Sequence, residues 1–155
     1  MAREKSGLSL LWHLFATGER VKHLLSSAMA DSPLSPDEYA VYSVLFDLGP
    51  RTPTGLARTV GMPPTTMSHY VRSMIERGHA RKRPTPADGR SFLLTLTEAG
   101  QHAHRAAGAA FREANMRFTA ALEVEEAFLE GALAHLGRAA DAAASQLTRE
   151  SRRAG

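Results

Sequence analysis

The sequence predicts a mainly α-helical fold with one small β-hairpin. Apolar residues recur at helical spacing through most of the 155 residues, and helix start and stop signals separate these stretches. Only one segment combines strand-like alternation with a preceding run of turn-forming residues. The composition, 43% hydrophobic and 23% charged, is typical of a folded domain, so we expect a single unit over residues 1–155.

The first two helices have clear boundaries in the sequence. Apolar residues from position 8 to 29 follow the helical period, which predicts one long amphipathic helix. Residues 35–38 (SPDE) then offer an N-cap, a proline suited to the first helical position and a capping-box glutamate. The second helix should therefore start there and end at Gly49, where glycine can adopt the left-handed closing conformation.

Residues 52–78, TPTGLARTVGMPPTTMSHYVRSMIERG, have the pattern of a helix-turn-helix. A start signal at residues 52–53 opens a short third helix, and Gly61 closes it. The fourth helix begins at the two prolines 63–64 and reaches about Arg77. This fourth helix would be the one that enters a DNA groove if the motif binds DNA.

A β-hairpin is expected directly after the fourth helix. Residues 84–89 (PTPADG) are dense in turn formers and predict the hairpin tip. Residues 91–96 predict the returning strand, with Phe92, Leu94 and Leu96 on one face. Together the two strands would form the wing of a winged helix-turn-helix lobe.

Two more helices should complete the chain. One opens at residues 97–98, and an alanine-rich helix follows with its apolar residues between positions 124 and 136, while residues after about Leu147 are expected to be loose. The first helix and these last two lie far in sequence from the helix-turn-helix, and each carries an apolar stripe. Packing against the same helices of a second copy would cover those stripes, so a homodimer is expected.

Positive charge is concentrated in the middle of the chain. Only Glu76 and Asp88 oppose the positive residues of this stretch, which are Arg72, Arg77, Arg81, Lys82, Arg83 and Arg90. Such a local excess is typical of an element that meets a polyanion, although a solvated charged face is the alternative. The net charge of the whole chain is only +3, which is lower than expected for a ribosomal or histone-like protein.

Several function classes are disfavoured. With no cysteine, the chain can form no disulfide, thiolate zinc site or thiol redox sensor. Metalloprotease, phosphate-loop and nucleophile-elbow motifs are missing, so we expect no enzyme activity, metal or cofactor. None of the seven histidines is spaced from a carboxylate as the ligands of a known metal site are. They are His13, His23, His69, His79, His102, His104 and His135. Apolar runs too short to cross a bilayer and the lack of an export signal predict a cytoplasmic protein without membrane contact.

The segment DGRSFLLTLTEAG at residues 88–100 resembles the wing signature of the MarR family of ligand-responsive bacterial transcription regulators. The matching positions are Asp88, Arg90, Leu96, Thr97 and Gly100, supported by Leu56-Ala57 and by Glu-Arg-Gly at 76–78. The resemblance implies a winged helix-turn-helix lobe at 34–98 and dimerisation helices at 6–30 and 99–148. It also implies a repressor that binds a pseudo-palindromic operator in double-stranded DNA as a homodimer.

The predicted DNA-binding residues fall into two groups. On the fourth helix, one side carries Met67, Val71 and Met74, and the opposite side carries Thr65, Thr66, Ser68, His69 and Arg72. These polar groups suit base edges and phosphates in a major groove. In the hairpin, Arg81, Lys82 and Arg83 suit phosphates, Arg90 suits a minor groove, and Asp88 would pair with Arg90 or Arg83.

One departure from the family pattern concerns the start of the fourth helix. Pro63 stands where many members place a capping residue, so another group must cap this helix or it must start with a tighter turn.

The resemblance also implies a small aromatic or anionic effector between the first, second and fifth helices. The residues expected there are Trp12, His13, Phe15, Arg20, Tyr42, Phe46 and Phe111, although these rings could equally be core. A winged-helix protein-interaction module without DNA binding is the alternative function, because a fold alone does not fix function.

Overall fold

A computed structural model describes residues 8–84 and 91–154. Six helices and one antiparallel hairpin are present in this described part, and the predicted mainly α fold is confirmed. In chain order the elements are α1 (Leu10–Ala28), α2 (Pro36–Asp47), α3 (Pro53–Val60), α4 (Pro64–Glu76), β1 (Ala80–Pro84), β2 (Phe92–Leu96), α5 (Glu98–Ala120) and α6 (Glu126–Ala154). The chain forms two units, Met1–Ala114 and Asn115–Gly155.

The predicted starts of α2 and α3 are confirmed by their caps. The Ser35 hydroxyl accepts a bond from the Glu38 backbone N–H at 3.3 Å, and the Glu38 carboxylate accepts one from the Ser35 N–H at 2.9 Å. These reciprocal bonds form the expected capping box. The Thr52 hydroxyl accepts from the Gly55 N–H at 3.1 Å, and Gly61 closes α3 with φ 76°. Local signals three residues apart therefore determine where both helices begin.

The fourth helix starts at Pro64, and Pro63 supplies no side-chain cap. The first backbone bond runs instead from the Met67 N–H to the Pro63 carbonyl at 3.0 Å. At the other end Gly78 adopts φ 68° and the His79 N–H donates to the Met74 carbonyl at 2.8 Å. A left-handed glycine thus closes the helix directly after Arg77, where the sequence predicts its end.

The core of the first unit holds α4 in place. The largest fully buried side chains come from the 34–45 segment, α3, α4 and β2, and they are Leu34, Val41, Tyr42, Leu56, Met67, Met74 and Leu94. The hairpin pairs in register from Ala80 with Leu96 to Pro84 with Phe92. A backbone bridge between Arg51 and Leu94 joins this hairpin to the segment just before α3. Helix α4 and the hairpin therefore share one core.

The prediction of a loose tail after Leu147 is wrong. Helix α6 continues to Ala154. Its last turns consist largely of good helix formers, and the hydroxyls of Ser145, Thr148 and Ser151 each donate to the carbonyl four residues earlier. Because these hydroxyls bond back along the helix, they do not draw the backbone into turns. No helix in the described ranges is both long and apolar enough to cross a membrane.

Candidate nucleic-acid interface

Helix α4 has one buried face and one exposed polar face. Met67, Val71 and Met74 are buried against the core, as predicted. The five polar residues expected on the opposite face are all exposed, and they are Thr65, Thr66, Ser68, His69 and Arg72. The helix thus presents hydroxyl, imidazole and guanidinium groups to solvent on one surface, which we call the α4 polar face.

Two contacts organise this face and its border. The Ser68 hydroxyl donates to the Pro64 carbonyl at 2.9 Å, which leaves the hydroxyl oxygen as an outward acceptor. Tyr70 borders the face, and its hydroxyl donates to an Asp37 carboxylate oxygen at 3.3 Å. That bond connects α4 to the first turn of α2, and burial is the main cause of the raised pKa of Tyr70.

The wing presents positive charge beside α4. Arg81, Lys82 and Arg83 lie on β1, as predicted, and all three are exposed. The Lys82 Nζ lies 4.7 Å from the centroid of the Phe92 ring, a cation–π distance that restrains the lysine on the wing surface. Asp88 and Arg90, the predicted tip residues, lie outside the described residues.

A cleft of about 460 Å³ lies between α4 and the wing. It brings together three residues that the sequence assigned to DNA, because Ser68, Arg72 and Lys82 all line it. Its apolar lining includes Val71, Ile75 and Phe92, and Glu76 supplies the one negative charge among the described lining residues. Ser68 and Arg72 of the α4 polar face and Lys82 of the wing are therefore parts of one surface.

Near the end of α4 lies a hydrogen-bonded group that we call the Tyr42 relay, made of Glu38, Arg77, Tyr42 and His79. The Arg77 Nη2 donates to the Tyr42 hydroxyl at 2.6 Å and lies 3.2 Å from the Glu38 Oε1. The same hydroxyl lies 3.0 Å from the His79 Nδ1. The relay thus connects α2 to the end of α4 and the start of the wing.

Burial shapes the proton chemistry of the relay. It raises the pKa of Tyr42 above its ordinary value, against the opposing effect of Arg77, so the hydroxyl keeps its proton. Burial, aided by the Arg77 charge, lowers the pKa of His79. A neutral imidazole and a protonated phenol are therefore the favoured forms near neutral pH. The sequence alone gave no sign of this group, because its members are up to 41 residues apart.

The residues predicted for an effector lie in two places. Trp12, His13, Phe15 and Arg20 are exposed on α1, with the Trp12 and His13 rings edge to face at 5.1 Å. The Phe46 ring stacks on the His104 ring with their centroids 4.4 Å apart, and the centroids of the Phe111 and Tyr39 rings are 4.8 Å apart. The seventh residue, Tyr42, is fully buried in the core.

His104 was not singled out from the sequence, yet it is a buried polar residue beside the rings of Phe46 and Tyr39. Its ring lies between Tyr39 at 4.8 Å and Phe46, and its Nε2 lies 3.0 Å from the Ser43 hydroxyl. The Nδ1 is buried without a hydrogen-bond partner among the described residues. Burial lowers the pKa of this imidazole. Residues 8–84 and 91–154 contain no cluster of three side chains that could hold a metal ion.

Comparison with known proteins adds independent evidence. No family model matches the chain. An uncharacterised HTH-type transcriptional regulator of Mycobacterium bovis is 29% identical over 94 residues, which are 61% of this chain and 66% of that protein. The match thus spans just under two thirds of the relative's length.

Solved structures match over more of the chain. The PcaV transcriptional regulator from Streptomyces coelicolor, in complex with its natural ligand, is 27% identical with a TM-score of 0.72, over 92% of this chain and 99% of PcaV. A probable transcriptional regulator from Pseudomonas aeruginosa is 29% identical with a TM-score of 0.71, over 86% of this chain and 99% of that protein. MarR from E. coli, at 18% identity, shares the fold with a TM-score of 0.68, over 83% of this chain and 97% of MarR. This chain has the MarR-family winged-helix fold. The resemblance drawn from residues 52–100 is confirmed, and these neighbours and relatives are transcriptional regulators.

Within this MarR-family fold, the signature residues Thr97 and Gly100 have clear structural roles. The Thr97 hydroxyl donates to the Gly78 carbonyl at 2.6 Å and accepts from the Gly100 N–H at 3.2 Å. The Thr97 N–H donates to the His79 carbonyl at 3.0 Å. A Cβ on Gly100 would come within 2.1 Å of that carbonyl oxygen, so only glycine allows this approach. The signature therefore joins α5 to the end of α4.

Proposed function

We propose that this chain is a DNA-binding transcriptional repressor that acts as a homodimer on a pseudo-palindromic operator. The observation that carries the proposal is the α4 polar face, in which five polar side chains are exposed opposite a fully packed apolar face. A helix of this kind fits the major groove of B-DNA, where its side chains can reach base edges. The adjoining wing cations fit the phosphates on either side.

The roles within this surface differ. Ser68, His69 and Arg72 are assigned to base edges, since they project from α4 with Thr65 and Thr66. Arg81, Lys82 and Arg83 are assigned to phosphates, and Arg90 to the minor groove, with Asp88 shaping the hairpin tip. One neighbour of the same fold, the Mycobacterium tuberculosis regulator MosR, was solved in complex with DNA. The likeness to that structure, 23% identical, is one of fold.

The homodimer is supported by exposed apolar side chains in both units. On α1, Leu10, Leu11 and Phe15 are 62%, 74% and 68% exposed. In the second unit, Phe128 and Leu147 on α6 are 69% and 66% exposed. Large apolar groups at such exposure favour association, and a second copy is the partner whose symmetry would set two α4 helices one helical turn of DNA apart, about 34 Å.

We also assign the repressor a small aromatic or anionic effector. PcaV, the 27% identical neighbour, was solved with its natural ligand. In this chain the proposed contacts are Trp12, His13, Phe15, Arg20, Phe46 and Phe111, and Tyr42 is a further proposed contact that is buried in the core. An effector would release DNA only if it bound the DNA-incompetent form better, with a coupling of typically about 1–3 kcal/mol.

Selection of bound sites from random duplex DNA tests the function. The full chain should enrich a pseudo-palindrome with half-sites about one helical turn apart. Discrimination between bases should change by about 1–3 kcal/mol at one position of the half-site in each of Ser68→Ala, His69→Ala and Arg72→Ala. In contrast, Lys82→Ala should weaken binding to all sequences alike. Arg105→Ala, at an exposed arginine on α5, is the matched control and should leave the profile unchanged. Failure to enrich any sequence, with folded protein, would favour a protein-interaction module instead.

A further inference from the structure

His79 occupies a joint between four elements. Its N–H donates to the Met74 carbonyl of α4, and its carbonyl accepts from the Thr97 N–H just before α5. The next residue, Ala80, begins β1 and pairs with Leu96 of the returning strand. The His79 ring reaches α2 through its contact with the Tyr42 hydroxyl. The position of this one residue therefore affects both α4 and the root of the wing.

The hydrogen bonds of the Tyr42 relay suit a neutral His79 ring. The Arg77 guanidinium can only donate, so the Tyr42 oxygen is an acceptor toward it. Burial lowers the pKa of His79, which favours the neutral imidazole. In the tautomer that carries its proton on Nε2, the His79 Nδ1 accepts the phenol proton across 3.0 Å.

We propose that His79 is a positioning residue for DNA binding: its neutral ring, held by Tyr42, fixes α4 relative to the root of the wing, and its protonation releases that hold. The inference deepens the proposed function and rests on it. His79 itself touches no DNA. It acts through the relative placement of the α4 polar face and the wing cations, which must engage the duplex together.

The groups around the ring explain why protonation is disruptive. A proton on Nδ1 would direct two donors, from Arg77 and His79, at the Tyr42 oxygen and would leave the phenol proton without its acceptor. It would also place a second positive charge beside Arg77. Glu38 is the opposing charge, but its carboxylate already binds Arg77 and caps α2. The α5 neighbours, Thr97 and Gly100, carry no charge.

The sign of the pH effect follows from this arrangement. Because burial lowers the pKa of His79, the relay stays intact down to a pH below the ordinary histidine value of about 6.5, and it is lost on further acidification. DNA affinity should therefore weaken on acidification. A variant at His79 isolates the contribution of this residue to the pH dependence.

Two variants and a matched control test the proposal in the full chain. His79→Asn keeps an acceptor near the Nδ1 position that cannot be protonated, and Tyr42→Phe removes the relay hydroxyl. Tyr70→Phe is the control, because it removes another phenol that joins α4 to α2 but lies outside the relay. Kd for a duplex selected by the wild type is measured by fluorescence anisotropy at about pH 7.5 and about pH 5.5 at constant ionic strength.

At the higher pH, Tyr42→Phe should weaken binding by about threefold to tenfold, the equivalent of one hydrogen bond, with an unchanged salt slope because no phosphate contact is lost. Tyr70→Phe should stay within about twofold. His79→Asn should bind as the wild type does at the higher pH and should exceed it by about threefold or more at the lower pH. Equal pH dependence of wild type and His79→Asn, or wild-type affinity in Tyr42→Phe, would overturn the proposal.

A DNA-free measurement distinguishes failure of the proposal from failure of the proposed function. Nitrogen NMR of the histidine rings should show His79 as the Nε2–H tautomer, and acidification should shift the amides of 80–83 and 92–96 in the wild type but not in His79→Asn. A proton on Nδ1 at neutral pH, or the same amide shifts in both proteins, would contradict the positioning role. If no duplex binds the wild type while these shifts are seen, the function is wrong and the joint at His79 stands.

Discussion

Gly100→Ala is the substitution for which the structure predicts the clearest loss of stability. An alanine Cβ would lie 2.1 Å from the His79 carbonyl oxygen and 2.9 Å from its carbonyl carbon. Both are backbone atoms, so no side-chain rotation can relieve the overlap. Ordinary contact begins near 3.4 Å, and the start of α5 must therefore move away from His79 by about 1.3 Å.

The expected cost comes from two sources. Overpacking in a closed site typically costs about 1–3 kcal/mol, and the displaced backbone would stretch the 3.0 Å bond from the Thr97 N–H to the His79 carbonyl, worth about 1 kcal/mol. The helix propensity of alanine offsets less than about 1 kcal/mol, because Gly100 lies in the first turn of α5. We expect the free energy of unfolding to fall by about 2–4 kcal/mol.

Urea unfolding at fixed protein concentration measures this change, since a dimer makes the apparent stability concentration-dependent. The control is Gly18→Ala in the middle of α1, where an added Cβ meets no atom within 4 Å. It should raise stability by about 0.5–1 kcal/mol. If Gly100→Ala proves as stable as the wild type, the close packing of α5 on the end of α4 is wrong.

Three further substitutions or conditions have defined outcomes. Ser35→Ala removes the side-chain half of the capping box of α2 and should cost about 1 kcal/mol in urea unfolding, and no measurable loss would show that the cap is not formed in solution. Because burial lowers the pKa of His104, the unfolded state binds protons more readily, so stability should decline as the pH falls below about 6.5; the decline should be smaller in His104→Gln. Arg90→Ala should weaken DNA binding at matched salt with unchanged unfolding and dimerisation, and equal binding would refute the minor-groove role of the wing tip.

The helix boundaries could be predicted from the sequence because their signals are local. Ser35 and Glu38 are three residues apart, and each side chain accepts a bond from the other's backbone N–H, so the residue types alone determined the start of α2. The polar and apolar faces of α4 followed from the helical period in the same way. Prediction failed at the tail, where residues after about Leu147 were expected to be loose as a chain terminus but instead continue α6, with hydroxyls that bond back along the helix.

Contacts between distant residues could not be predicted. His104 meets Ser43 across 61 positions, and Tyr42 meets His79 across 37. Neither pair has a spacing pattern, because the packing of α2 against its neighbours creates the contact. The DNA and effector roles assigned to individual residues stay predictions. Those at Asp88 and Arg90 lie on a segment outside the described residues.

The salt dependence of binding to a selected duplex tests the central claim most directly, namely that the α4 polar face and the wing bind DNA in a homodimer. Each phosphate contact contributes about 0.9 to the slope of log K against log salt. Lys82→Gln should therefore reduce the magnitude of the slope by about 2 per dimer, one contact from each protomer, while Arg105→Gln leaves it unchanged. Identical slopes for wild type and Lys82→Gln, or binding that does not respond to salt, would contradict the account.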